Sequence, residues 1–259
     1  MSPELAIHIE QALEELGEPK RSASFAKFIQ AVPGGYGEGD QCLGVSVPQQ
    51  RIVAKTHASV ALTELRELLR SRWHECRLTG VFILVRRYEL AIRVERKCWN
   101  ENAGSKRKSP RYQPTSETAE EIVDFYLKNL SGINNWDLVD ASAYKILGDY
   151  LVDHPKHRFN LNRLADSDEL WQERIAVVAT LSLIKNEEYG EILELAARFL
   201  EHPHDLMHKA VGWMLRELGK RNLDLLRGFL HEHSAKMPRT MLRYSIEKMS
   251  ATERKRWLQ

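Results

Sequence analysis

Ser142-Ala-Tyr-Lys-Ile-Leu-Gly-Asp-Tyr-Leu-Val152, Arg174-Ile-Ala-Val-Val-Ala-Thr-Leu-Ser-Leu183, His208-Lys-Ala-Val-Gly-Trp-Met-Leu-Arg-Glu-Leu218 and Met241-Leu-Arg-Tyr-Ser-Ile-Glu-Lys-Met249 each carry apolar residues three and four positions apart. That spacing puts the apolar residues on one face of a helix. Aligning equivalent helix cores gives Ser142 to Ile175, Ile175 to Ala210 and Ala210 to Met241, steps of 33, 35 and 31 residues. Each step holds a polar or capped start, a short helix, a break and a second, more apolar helix. His154-Pro155 and His202-Pro203-His204 supply breaks, because proline cannot continue a helix and biases the residue before it away from one.

A period in the thirties with two helices per unit marks a helical solenoid of the HEAT or armadillo kind. Outward from the repeat, Val60–Leu69, Glu121–Leu130 and Ile192–Leu200 show the same stripe, and no stretch sustains an apolar–polar alternation. The expected fold is all-α, a single curved superhelical solenoid of antiparallel HEAT-like helix pairs, with residues 1–259 forming one domain. Pro33-Gly-Gly-Tyr-Gly-Glu-Gly39 reads as a loop. Asn100–Thr115, with Gly104, Ser105, Ser109, Pro110 and Pro114, is the longest candidate loop. It lies inside the domain rather than at a change of composition, so a basic insertion at about 96–115 is expected. The concave side of such a solenoid is a long groove suited to an extended ligand.

Composition narrows the class of protein. Of 259 residues, 43% are hydrophobic and 29% charged, a globular balance that excludes a disordered chain or a coiled-coil rod. No apolar run approaches the roughly 20 residues of a membrane helix. Met1-Ser2-Pro3-Glu4 lacks the basic-then-apolar pattern of a signal peptide. Cys42, Cys76 and Cys98 are odd in number and have no CxxC spacing, which fits neither a disulfide framework nor a zinc finger. A cytoplasmic protein with reduced thiols and no membrane contact is expected.

Formal net charge is only +2, but the charge is segregated. Residues 1–50 hold three basic and seven acidic side chains, whereas residues 203–259 hold twelve basic and six acidic. Arg93–Arg111 adds seven basic against two acidic. An acidic end and a basic face suit a polyanion; the alternative is a set of solvated helix faces and a basic loop. Lys106, Arg107, Lys108 and Arg111 in the insertion, with Arg216, Lys220, Arg221, Arg239 and Arg243 on the helices, are the candidate residues for meeting such a polyanion.

The densest chemical feature is Ile133-Asn-Asn-Trp-Asp-Leu-Val-Asp140. Asn134 or Asn135 can cap a helix, and Asp137 falls near its positive end. Trp136 and Asp140, four apart, share one helix face about 6 Å apart along the axis. Taken alone, the pair reads first as a core indole and a surface carboxylate. Arg174 and Trp213 fall at positions that the repeat makes equivalent, so all three units can contribute to one line of residues. An arginine beside the carboxylate would keep it ionised, and two indoles offer flat apolar surfaces to a sugar or base. His204 and His208, or His231 and His233, have helical i,i+4 or close spacing, but no HExxH and no third ligand accompanies them, so no metal is expected. Neither GxxxxGK[ST] nor GxGxxG occurs, and no nucleotide cofactor is expected.

Five segments in order carry a family resemblance: Tyr36-Gly-Glu-Gly-Asp-Gln-Cys-Leu-Gly-Val-Ser-Val-Pro-Gln-Gln-Arg51, Trp136-Asp-Leu-Val-Asp140, Trp171-Gln-Glu-Arg174, His208-Lys-Ala-Val-Gly-Trp-Met-Leu-Arg-Glu217 and Met237-Pro-Arg-Thr-Met-Leu-Arg-Tyr244. Running from about residue 24 to about residue 250, the chain resembles the AlkD-type DNA alkylation repair proteins, a family of HEAT-like-repeat DNA glycosylases. The resemblance implies that Trp136, Asp140, Arg174 and Trp213 are the functional quartet. In it the carboxylate assists glycosidic cleavage, the tryptophans contact the lesion's deoxyribose, and the arginine contacts the DNA backbone. The implied activity is that of a monofunctional, cofactor-free glycosylase, hydrolysing the N-glycosidic bond of cationic N3- and N7-alkylated purines such as 3-methyladenine and 7-methylguanine. Its implied partner is double-stranded DNA containing those bases, met by a monomer. Glu173 stands where many relatives have a basic residue, Cys42 where an aromatic is common, and the insertion is longer than the family leads one to expect. A non-catalytic HEAT-repeat DNA-binding protein of the same family and a protein–protein scaffold are the competing readings.

Overall fold

A computed structural model describes residues 4–102 and 117–259, with 100–102 by backbone alone. Lys106, Arg107, Lys108 and Arg111 lie outside the described residues, as does most of the expected insertion. Among the described residues the chain is helical, and its single β-bridge pairs Gln41 with Trp73. It divides into two compact units, Met1–Ser142 and Ala143–Gln259.

The first unit comprises α1 (Glu4–Glu15), α2 (Pro19–Phe28), α3 (Val47–Thr56), α4 (Leu62–Leu69), α5 (His74–Asn102), α6 (Ala119–Lys128) and α7 (Trp136–Ser142). Its centre is α5, against which α1, α3, α4, α6 and α7 all pack. From His74 to Ile92 only Arg86 and Glu89 escape burial. A helix covered on every side has no polar face to give it a stripe, which is why periodicity does not single it out. The helix also runs through 96–102, residues that the sequence places in the insertion. Local chemistry sets other ends. Thr118 and Glu121 form a reciprocal capping box at α6, with the Thr118 amide donating to Glu121 Oε2 at 2.8 Å and the Glu121 amide to Thr118 Oγ1 at 3.2 Å.

The second unit opens with a π-helical turn at Tyr144–Gly148, then α8 (Asp149–Asp153), a 3₁₀ turn at Pro155–His157, α9 (Phe159–Ala165), α10 (Leu170–Lys185), α11 (Gly190–Arg198), α12 (Asp205–Gly219), α13 (Leu223–His233), α14 (Arg239–Ser245) and α15 (Ala251–Trp257). Here the repeat has its physical basis. The more apolar members α10, α12 and α14 stack side by side, while α9 and α11 flank α10 and α13 flanks α12. Ile175, Ala210 and Met241, the residues that set the repeat's steps, are all fully buried. Pro155 follows the end of α8, and Pro203 stands between α11 and α12, as the break residues require.

Gly148 lets the π turn touch α10, since a Cβ there would sit 2.1 Å from the Ala179 carbonyl oxygen. Backbone faces backbone, so neither side can yield by rotating a side chain. Gly148→Ala is expected to lower stability by about 1–3 kcal/mol through overpacking, outweighing the roughly 1 kcal/mol that alanine gains in helix propensity. A urea titration reads this as a lower midpoint; an unchanged midpoint would show that the turn relaxes freely.

Candidate active site

Within the first unit the site is built on the short helix α7. Trp136 opens it and Asp140 follows one turn later, both half-buried, while Leu138 and Val139 are fully buried and anchor the helix. Of the two possible caps, Asn135 is the buried one. Its Oδ1 accepts the Trp136 amide at 2.8 Å, and its Nδ2 donates to the Ile29 carbonyl at 3.1 Å. The latter bond ties the start of α7 to the end of α2. Phe28, the last residue of α2, is 61% exposed, and its ring stands edge-on to Trp136 with centroids 5.2 Å apart. Sequence reasoning passed over Phe28, although an aromatic just before a glycine-rich loop was visible; nothing local linked it to a tryptophan over one hundred residues away.

The first of the five matching segments, Tyr36 to Arg51, covers the second part of the loop between α2 and α3 and the first half of α3. Gly34, Gly39 and Gly44 adopt positive φ, and at Gly44 a Cβ would also lie 2.2 Å from the Glu18 carbonyl oxygen, so this turn requires glycine. Glu75 of α5 gathers the loop by accepting the amides of Leu43 at 3.0 Å and Gly44 at 2.8 Å. His74 sits between two carboxylates, with Nδ1 2.9 Å from Asp40 and Nε2 2.8 Å from Asp137. Arg77 joins Asp40 at 2.6 Å. Burial disfavours a charged imidazole, but the hydrogen bonds to Asp137 and Asp40 outweigh it and push His74 up to about 9. Burial opposes ionisation of Asp40 as well; His74 and Arg77 nevertheless hold its carboxyl below the usual range. Burial, reinforced by Glu75, pushes the Cys42 thiol up to about 12, which leaves it a poor nucleophile.

In the second unit Arg174 lies in the first turns of α10 and Trp213 in the middle of α12, helices that pack on each other. Trp213 is half-buried, whereas Arg174 is only 4% exposed and donates from Nη1 to the Leu206 carbonyl at 2.5 Å. Glu173 does not face outward as its charge suggests. It is buried and lies 3.0 Å from Nε2 of His202. His204 caps α12 by accepting the Leu206 amide at Nδ1, 3.1 Å away. Burial and His202 hold His204 below its usual range, consistent with a neutral, accepting ring. His208 Nε2 lies 2.5 Å from the His202 carbonyl. The histidines considered as a metal pair are thus engaged with backbone groups.

The helix-borne cations fall in two patterns. Arg216, Lys220 and Arg221 gather about Glu217 at 3.6, 2.6 and 3.8 Å, and Arg216 also meets Glu247. Arg239 donates to the Leu258 carbonyl at 2.8 Å, and Arg243 is exposed. Glu217 is only 14% exposed and Arg216 20%, so these pairs are half-buried and screened less than surface pairs. A phosphate would have to compete with Glu217 for them, whereas Arg243 is open to one.

Among the described residues the protein is all-α, with a carboxylate and an indole one turn apart on a helix tied to a glycine-rich loop. More particularly, residues 9–249 match the DNA alkylation repair enzyme family, and the chain belongs to it. Its role is therefore in alkylation repair. A solved structure described as a predicted DNA alkylation repair enzyme from Enterococcus faecalis is similar in fold, with a TM-score of 0.65 at 15% identity over 91% of this chain and 97% of that one. Comparison with curated proteins finds no match. Among the described residues no helix is long and apolar enough to cross a membrane.

Proposed function

We propose that the protein is a monofunctional DNA glycosylase that hydrolyses the N-glycosidic bond of cationic N3- and N7-alkylated purines in duplex DNA. The observation that carries this is the half-buried Trp136–Asp140 pair on one turn of α7, in a chain of an alkylation repair family. Alkylation at N7 of guanine or N3 of adenine leaves a positively charged base, which departs neutral without a general acid. The demanding step is the charge that develops on the deoxyribose as the C1′–N bond breaks. A fixed carboxylate beside that sugar stabilises the transition state more than the ground state, and it orients the attacking water. Indole faces of Trp136 and Trp213 add cation–π stabilisation worth about 0.5–2 kcal/mol. Arg174 is assigned to the DNA backbone, and Phe28 extends the aromatic surface around Trp136. Release of 7-methylguanine and 3-methyladenine from methylated duplex by the purified protein tests the proposal. Binding without release would instead support a non-catalytic member of the family.

Duplex DNA is the proposed partner, met by the basic helices and the basic segment after α5. If about five phosphates are neutralised, log K falls with log salt at a slope of roughly −4 to −5. Deleting residues 101–110, which removes Lys106, Arg107 and Lys108, is expected to make the slope shallower. An unchanged slope in the deletion would leave Arg216, Lys220, Arg221, Arg239 and Arg243 as the contacts.

A further inference from the structure

Four charged groups are buried together beneath the start of α7. The side chains of His74, Asp40, Arg77 and Asp137 are 0, 7, 6 and 14% exposed. Asp40 comes from the glycine-rich loop, His74 and Arg77 from α5, and Asp137 from α7. With His74 protonated, two cations face two anions, and both ring nitrogens donate. The loop is held to α5 a second time, by the His74 amide donating to the Gln41 carbonyl at 2.8 Å, and Phe25 of α2 covers the imidazole edge-on at 5.4 Å. None of these groups is among the residues assigned above to the reaction. Yet Asp137 lies between Trp136 and Asp140 on a helix of seven residues, too short to hold its direction unaided.

We propose that His74, clamped between Asp40 and Asp137, is a positioning residue that fixes α7 and thereby the aim of Trp136 and Asp140 at the lesion's sugar. This rests on the glycosylase reading for the sugar, but not for the clamp. Among the described residues the imidazolium is bonded to both the loop carboxylate and the helix carboxylate. Losing its proton removes one of the ring's two donors and leaves Arg77, bonded to Asp40, as the cation of the cluster; Asp137 then keeps the Leu138 amide and Asp40 the Asn134 side-chain amide. The charged neighbours are Asp40 from the loop, Asp137 from α7, and Glu75 and Arg77 from α5; Cys42 stays a thiol, and Phe25 of α2 covers the ring. A histidine that holds its proton to about pH 9 when folded, against 6.5 ordinarily, gives stabilisation that is complete below pH 6.5. That stabilisation is lost as pH rises through 9.

The test combines a side-chain nuclear magnetic resonance titration of His74, hydrogen-exchange protection of the amides of 136–142, and the variant Asp137→Asn. Expected are an imidazole that titrates near 9 and α7 protection that drops across the same interval while that of α10 holds. At pH 7 Asp137→Asn should bring α7 protection down to the high-pH level. It should also slow single-turnover release of 7-methylguanine by up to about 10²-fold, with binding to undamaged duplex unchanged. His74 titrating near 6.5, or α7 protection flat through its titration, would overturn the proposal, as would a variant with wild-type protection and rate. If the wild type releases no base, the glycosylase reading fails while protection still decides on the clamp. If the variant does not fold, the wild-type titration decides.

Discussion

Asp140→Asn is expected to slow release of 7-methylguanine from duplex DNA by about 10²–10³-fold and to leave binding to undamaged duplex unchanged. Asparagine keeps the shape and removes the charge, so only an interaction with developing positive charge is lost. Two unit charges about 4 Å apart attract by about 4 kcal/mol at an effective dielectric of 20. That corresponds to roughly 10³ in rate, and the asparagine dipole retains part of it. Removal of one preorganised electrostatic group from other active sites costs a similar factor. The measurement is single-turnover release from an oligonucleotide duplex carrying one lesion, with affinity for undamaged duplex read alongside. Near-wild-type release would make Asp140 structural and return the pair to the core-indole and surface-carboxylate reading.

Much of the fold was legible because the second unit obeys its own periodicity. Ile175, Ala210 and Met241 recur at near-equal steps since α10, α12 and α14 must each bury the same face against the next. The first unit was less legible. Helix α5 is buried all round from His74 to Ile92, so its sequence carries no amphipathic signal, and its extension to Asn102 overran the expected boundary of the insertion. The site divides in the same way. Trp136 and Asp140 declared themselves by i,i+4 spacing on a capped helix. Phe28 and His74 did not, because their meaning lies in contacts with residues 108 and 63 positions away, Trp136 and Asp137. The place of Glu173 was likewise hidden, because its carboxylate is buried against His202, 29 positions away.

Lesion charge is expected to govern substrate choice. Catalysis resting on a carboxylate beside the sugar provides no proton for the leaving base. Uracil, hypoxanthine and 8-oxoguanine are neutral and leave reluctantly without a donor or an enclosing pocket, and the proposed mechanism assigns no residue the part of a general acid. Glycosylases that act on such bases usually extrude them into a pocket that reads the hydrogen-bonding edge. A cationic 7-alkylguanine has already received its activating charge from the alkyl group. The enzyme then has only the sugar left to stabilise, where a half-buried carboxylate interacts more strongly than it would in water. Excision of 7-methylguanine and 3-methyladenine is therefore expected, with larger N7 adducts tolerated because the mechanism needs no close fit around the base. Parallel single-turnover assays on duplexes that each carry one lesion decide the matter. Uracil released as fast as 7-methylguanine would sink the mechanism, since it would demand an acid, and the mechanism gives Asp140 the part of a carboxylate beside the sugar rather than of a proton donor.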